Sequence, residues 1–179
     1  MPDRSAYADL TELKSAGWLN ISGTGTDAQL LALLEAASRL VDRHANRRFS
    51  PYTETLYFDG LDGGRRLWVP DLLSITSLKT DENGDATYER TWAAADYILW
   101  PSAFPKLKVE ADLRTTSSKY YFPLGQRRTE IVGIWGYGNG ASATPYEDSG
   151  TTGNEALSAT DTTYTVSDGT KFLVGQALL

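Results

Sequence analysis

The acidic turn Asp81-Glu82-Asn83-Gly84-Asp85 places oxygen-bearing side chains at alternate positions, the pattern that opens a calcium-binding loop. Such a loop also needs Gly at its sixth position and Glu at its twelfth, where this chain has Ala86 and Trp92. The segment is therefore expected to be a plain turn. Asp59 and Asp62 flank Gly60 and precede Gly63-Gly64, and turn chemistry accounts for each of these residues. A glycan-cleaving pair would need one raised and one ordinary carboxyl pKa at a fixed spacing in a cleft, and nothing in the sequence marks one. His44 is the only histidine and cysteine is absent, which excludes two-imidazole metal sites, thiolate zinc, cysteine nucleophiles and disulfides. A Ser-His-Asp enzyme would rest on His44 alone. Gly133, Gly136, Gly138 and Gly140 follow a strand pattern, open no helix and lack the Lys-Ser/Thr continuation of a phosphate cradle. No catalytic residue, metal or cofactor is expected, and the chain is expected not to be an enzyme.

Cations and aromatics are the richer signal. Arg43, His44, Arg47 and Arg48 crowd the end of a helical pattern, where positive charge complements the helix dipole. Lys119-Tyr120-Tyr121-Phe122 and Arg127-Arg128 interleave rings with cations, as single-strand binders do, but without a basic surround. The net charge is -6 with a pI near 4.8, which opposes general binding to phosphate backbones. Trp, Tyr and Arg are what buried protein interfaces favour, and the chain holds 5 Trp and 10 Tyr. The candidate interface residues are Arg43, Arg47, Arg48, Tyr120, Tyr121 and Phe122, joined in the tail by Tyr164, Val166 and Phe172. Binding or assembly outranks catalysis.

These residues must be positioned by elements of two kinds. With 179 residues and 41% hydrophobic composition, the chain suits one domain with an appendage. A short helix is predicted over about 9–16, with Leu10 and Leu13 on one turn and Gly17 as a stop. A second runs over 27–46, opened by Thr26 and Gln29 at capping-box spacing and stopped at Ser50-Pro51. Its apolar positions, Leu30, Leu31, Leu34, Ala37, Leu40 and Val41, form a stripe that must dock on something. From 54 to 138 the period becomes two, with short strands near 55–58, 65–69, 75–79, 88–92, 97–100, 106–111 and 129–135. The turn at 61–64 predicts that the first two pair as a hairpin. The fold class is α+β: N-terminal helices followed by a small, mostly antiparallel sheet, with an extended C-terminal tail. Residues 1–140 form the domain, 141–162 a Gly/Ser/Thr-rich linker, and 163–179 a β-like extension. Residues 141–179 hold five acidic residues and one lysine. No run of about 18 apolar residues occurs and the first residues lack a signal-peptide pattern, so no membrane role is expected.

The order of these parts resembles a known family. Leu10 and Leu13 mark a short helix before the Asp-led helix from Asp27 to Asn46, which closes in Arg-x-x-x-Arg-Arg-Phe at Arg43, Arg47, Arg48 and Phe49. A strand leading to Gly60 follows, then one ending in Pro70 before Ile75 and Leu78, a Tyr97 strand, and a last strand closing in Gly136-Tyr137-Gly138. Over about residues 7–140 this resembles the head-tail connector, or head-completion adaptor, proteins of tailed bacteriophages.

The resemblance implies a structural virion protein of the neck, made in the host cytoplasm. Members form a ring, usually a dodecamer, beneath the portal and join the DNA-filled head to a stopper or tail protein. The implied partners are the portal protein, a stopper or tail-completion protein and further copies of the same chain. Genomic DNA would pass through the lumen without sequence-specific binding, and an acidic lumen would repel it. After Gly140 the chain departs from relatives that continue in a helix, so residues 155–179 are expected to add a strand to a neighbouring chain or to the portal by edge pairing. The alternatives are a stopper, a tail-completion protein or a decoration protein, and, more distantly, a carboxylate-based hydrolase working near Asp59 and Asp62.

Overall fold

The computed structural model describes residues 6–8, 10–15, 21–60, 64–114, 119–138, 140 and 167. Of the described residues, those up to Asp42 and Ser167 belong to one compact unit and those from Arg43 to Gly140 to another. In the first, α1 (Leu10–Ser15) precedes α2 (Asp27–Ala45). The Thr26 carbonyl accepts from the amides of Gln29 and Leu30, which starts the helix. Asp27 at the positive end of the dipole also takes the Lys14 ammonium at 2.7 Å. Leu34, Ser38 and Asp42 recur at four-residue spacing on one face of α2. The Tyr7 amide donates to Ser38 Oγ at 2.9 Å and its hydroxyl to Asp42 at 2.5 Å. Only part of the expected stripe is covered: Leu30, Leu31 and Leu34 are half-buried, whereas Ala37 is exposed and Leu40 and Val41 are 63% and 50% exposed.

The second unit is a six-stranded antiparallel sheet of β1 (Tyr52–Gly60), β2 (Arg66–Thr80), β3 (Arg90–Trp92), β4 (Tyr97–Trp100), β5 (Lys106–Ala111) and β6 (Gly125–Trp135). The order is β1-β6-β2-β5-β4, with β3 on β2. Two helices and an antiparallel sheet make the fold α+β, as the period change predicts. The hairpin expected across 61–64 does not form. β6 lies between β1 and β2, with Tyr52 opposite Trp135 and Phe58 opposite Thr129. The reason is side-chain fit rather than turn chemistry: Trp135 Nε1 donates to the Glu54 carbonyl at 2.9 Å, and its ring packs on Phe58 at 5.8 Å. A local turn signal cannot report such a distant partner.

The strands predicted at 65–69 and 75–79 are one 15-residue strand. Pro70 lies within it, where β2 changes neighbours. Arg66 to Trp68 pair with β5, Leu72 to Thr80 pair with β6, and the register against β5 shifts between Trp68 and Leu72. Proline lacks a ladder donor and is accommodated at such an irregularity. Beyond β4, the peptide bonds Trp100-Pro101 and Phe104-Pro105 are cis. At the start of β5, Lys106 is buried, donating to the carbonyls of Pro101 at 3.0 Å and Ser102 at 2.6 Å in that loop. Burial pushes its pKa down.

The core gathers Leu67, Val69, Leu72, Leu78, Trp92, Val109, Phe122, Ile131 and Trp135. Trp92 and Phe122 stack with centroids 4.8 Å apart and planes 5° off parallel, and Trp92 Nε1 donates to Thr80 Oγ1 at 3.1 Å. Truncating Trp92 leaves a large void and an unmatched Thr80 hydroxyl. Trp92→Ala should therefore lower unfolding stability by about 3–5 kcal/mol in urea denaturation. Trp68→Ala, at a ring pointing to solvent, should stay within about 0.5 kcal/mol.

Candidate functional site

Two of the segments named in the family resemblance touch each other. After Ala45, Asn46 takes the left-handed conformation at φ 49°, which Asn tolerates better than most residues, and this ends α2. The chain then runs through Arg47-Arg48-Phe49 beside the Gly136-Tyr137-Gly138 segment that follows β6. The Tyr137 amide donates to the Arg48 carbonyl at 2.8 Å and the Gly138 amide to the Phe49 carbonyl at 3.0 Å. Phe49 meets the Tyr137 ring edge-on at 5.6 Å, and the Arg47 guanidinium lies 4.9 Å from the centre of the same ring. Arg47 also pairs with Asp71 at 2.8 Å, while Arg48 lies 4.0 Å over Tyr52. Burial raises the Asp71 pKa and the Arg47 charge pulls it back, with a net rise. Arg47 and Arg48 thus join the helix end to the sheet, whereas Arg43 and His44 face solvent on the last turn of α2.

Glycine is required inside this clasp. Gly136 has φ +114°, and a Cβ there would lie 2.6 Å from the Ser50 carbonyl oxygen. Gly136→Ala should cost about 1–3 kcal/mol through backbone strain alone, and more where Ser50 cannot yield, read from the urea midpoint.

The acidic turn is closed by its own backbone and one arginine. Asp81 is buried, and its carboxylate accepts from the Gly84 amide at 2.6 Å, the Ala86 amide at 3.0 Å and Arg128 at 3.1 Å. Asp81, Asp85 and Glu89 bring oxygens within 4.8 Å of one another, but Arg128 already supplies a cation to the innermost. Burial pushes the Asp81 pKa up, yet the two amides and Arg128 outweigh it, holding the carboxyl below its ordinary 3.8. A carboxyl depressed by folding contributes stability that is present above the unfolded pKa and lost as pH falls through the folded one. Asp81→Asn should therefore lower stability at pH 7 and flatten the loss of stability below about pH 4. Urea midpoints taken from pH 7 down to pH 3 read both effects.

The remaining predicted residues are dispersed. Tyr120 and Tyr121 are exposed, but Phe122 is 1% exposed within the core. Lys119 pairs with the buried Asp96 at 2.6 Å. Tyr164, Val166 and Phe172 lie outside the described residues, as does Asp62. Asp59 accepts from the Arg127 amide at 2.7 Å and borders a groove lined by Tyr57, Phe58, Arg66, Leu67 and Trp68.

One surface was missed by the sequence reasoning. Trp68 on β2 and Trp100 on β4 both stand opposite Lys108 on β5, in register across three strands. The Lys108 ammonium lies 5.9 Å from one ring centre and 5.5 Å from the other. The rings are 69% and 48% exposed. Glu110, one pleat along, accepts Lys108 at 2.9 Å, Arg66 at 3.3 Å and Arg65 at 3.4 Å. The hydrogen bond from Lys108 leads the effects that hold its pKa down. The signal was present in the alternation of Leu67, Trp68 and Val69, which buries the outer two and turns the tryptophan to the other face.

No protein-family model matches this chain, and no curated protein does. Among solved structures, the chain is similar to one in the "Neck of empty GTA particle computed with C6 symmetry". The two are 21% identical with a TM-score of 0.46, and the alignment spans 73% of this chain and 65% of that one.

Proposed function

We propose that this protein is a structural subunit of a tailed-phage neck, a head-tail adaptor that assembles into a ring beneath the portal and leads to a stopper or tail protein. The observation that carries the reading is the clasp between Arg47-Arg48-Phe49 and Gly136-Tyr137-Gly138. These segments were picked out in the sequence as two separate marks of the connector family. Their mutual contact makes them one device, which ties the segment before β1 to the segment after β6. The reading rests on this device and on the order of helices and strands, not on the likeness to the solved neck chain. In this reading Arg43, Tyr120 and Tyr121 contribute subunit or portal contacts, since all three are exposed and of types that interfaces favour. The chain's net charge of -6 suits a channel through which DNA slides without sticking.

The test is the mass of the protein in solution, alone and mixed with the portal protein of the same particle. A large stoichiometric ring complex with portal is expected. A persistent monomer that ignores portal would overturn the reading. Replacing Tyr120 and Tyr121 together by alanine should weaken ring or portal association about tenfold, or ~1.4 kcal/mol, with the unfolding midpoint unchanged.

A further inference from the structure

The face of α2 that borders solvent is apolar. From Ala28 to Val41 every exposed residue is uncharged, and Gln29 is the only polar one among them. Leu33, Leu40 and Val41 are 66%, 63% and 50% exposed. The two charged residues of this stretch, Glu35 and Arg39, are half-buried instead. Arg39 pairs with Asp42 at 3.1 Å and lies 5.1 Å over the Tyr7 ring, so the polar contacts of the helix are made on its covered side. A helix at a protein surface normally does the reverse, turning its charges to water. Single exposed leucines are ordinary, but here the exposed residues recur at every third or fourth position and form one continuous band. A band of this kind marks a surface that another molecule covers.

The order of side-chain sizes along the band selects the occupant. Outward from the point midway between Ala36 and Ala37, the exposed residues are Leu33 on one side and Leu40 on the other, then Ala32 and Val41. Turning a second α2 about a two-fold axis through that point sets Ala36 against the partner's Ala37, Leu33 against the partner's Leu40, and Ala32 against the partner's Val41. The alanines at the axis let the two backbones approach, the leucines interdigitate on either side, and each valine covers an alanine. None of these six positions carries a charge, so the pairing desolvates none there. The face matches itself, and a second copy meets the match with no further sequence. We propose that two copies of this chain associate through α2, antiparallel, about a two-fold axis at Ala36 and Ala37. Such a contact closes at two copies. One helix face is smaller than a standard interface, so the dimer should be weak, with a dissociation constant on the order of 10 μM. The inference stands apart from the neck reading, since it concerns one face of one helix.

Sedimentation of the full-length protein over about 1–200 μM tests it, with the wild type expected to pass from monomer to dimer as concentration rises. Leu33→Glu and Leu40→Lys should each weaken the dimer about tenfold or more. Both positions are exposed, so helicity by circular dichroism should stay unchanged and show the fold intact. The variant carrying both substitutions places opposite charges face to face across an antiparallel pair and should recover most of the lost affinity. In a parallel pair the same variant would set like charges together and recover nothing. A wild type that is monomeric throughout, a dimer indifferent to both single substitutions, or a double variant that associates no better than the single ones would overturn the proposal. Portal binding on the same samples keeps the two readings apart. A monomer that still joins portal overturns only the α2 pair, and a dimer that ignores portal overturns only the neck reading.

Discussion

Strand β6 must be paired on both edges, and the rest of the sheet unit is arranged to meet that requirement. From Thr129 to Trp135 every second side chain is buried, so one face of the strand is sealed in the core. Its N–H and C=O groups therefore need partners that water cannot supply. β1 satisfies one side from Tyr52 to Gly60 and β2 the other from Leu72 to Thr80. Where β2 passes closest, position 133 is glycine, and a Cβ there would lie 2.4 Å from the Ser74 carbonyl oxygen. The end of β6 then becomes Gly136-Tyr137-Gly138, the half of the clasp that receives the chain arriving from α2.

Much of this was legible one element at a time. The period of 3.6 in Leu30, Leu31 and Leu34 and the period of two from residue 54 onward gave the helices, the strands and the α+β class. Pairing was another matter. A Gly-rich turn after β1 reads as a hairpin, but Trp135, eighty-one residues beyond the Glu54 carbonyl it binds, decides the partner. Pro70 reads as a strand end because local rules place it there, whereas the strand continues by changing neighbours. Among interface candidates, residue type alone could not separate Tyr120 and Tyr121, which face solvent, from Phe122, which stacks on Trp92. Trp68 and Trp100 became a pair only once β5 was placed between them.

The polar groups follow a consistent division. Carboxylates that looked available for chemistry are occupied by the fold, Asp81 by two amides and Arg128 and Asp59 by the Arg127 amide, and Asp71 is likewise taken by Arg47. Each ties together segments distant in sequence. Several cations and aromatics, by contrast, are left at the surface in a graded way, from Arg48 folded over Tyr52 to Trp68 open to solvent. A surface of this kind favours recognition by area and charge over reaction at a point.

The continuity of β2 through Pro70 has a mechanical meaning. Its first half is bonded to β5 and its second to β6, so one unbroken strand serves as a splint across two half-sheets. A pull along the strands would load each ladder in shear, where several hydrogen bonds must yield together, rather than peeling them one by one. Force entering at the clasp would pass from β6 into β2 and reach the β5-β4 side through covalent bonds. The sheet can transmit tension from one edge to the other without relying on any single turn.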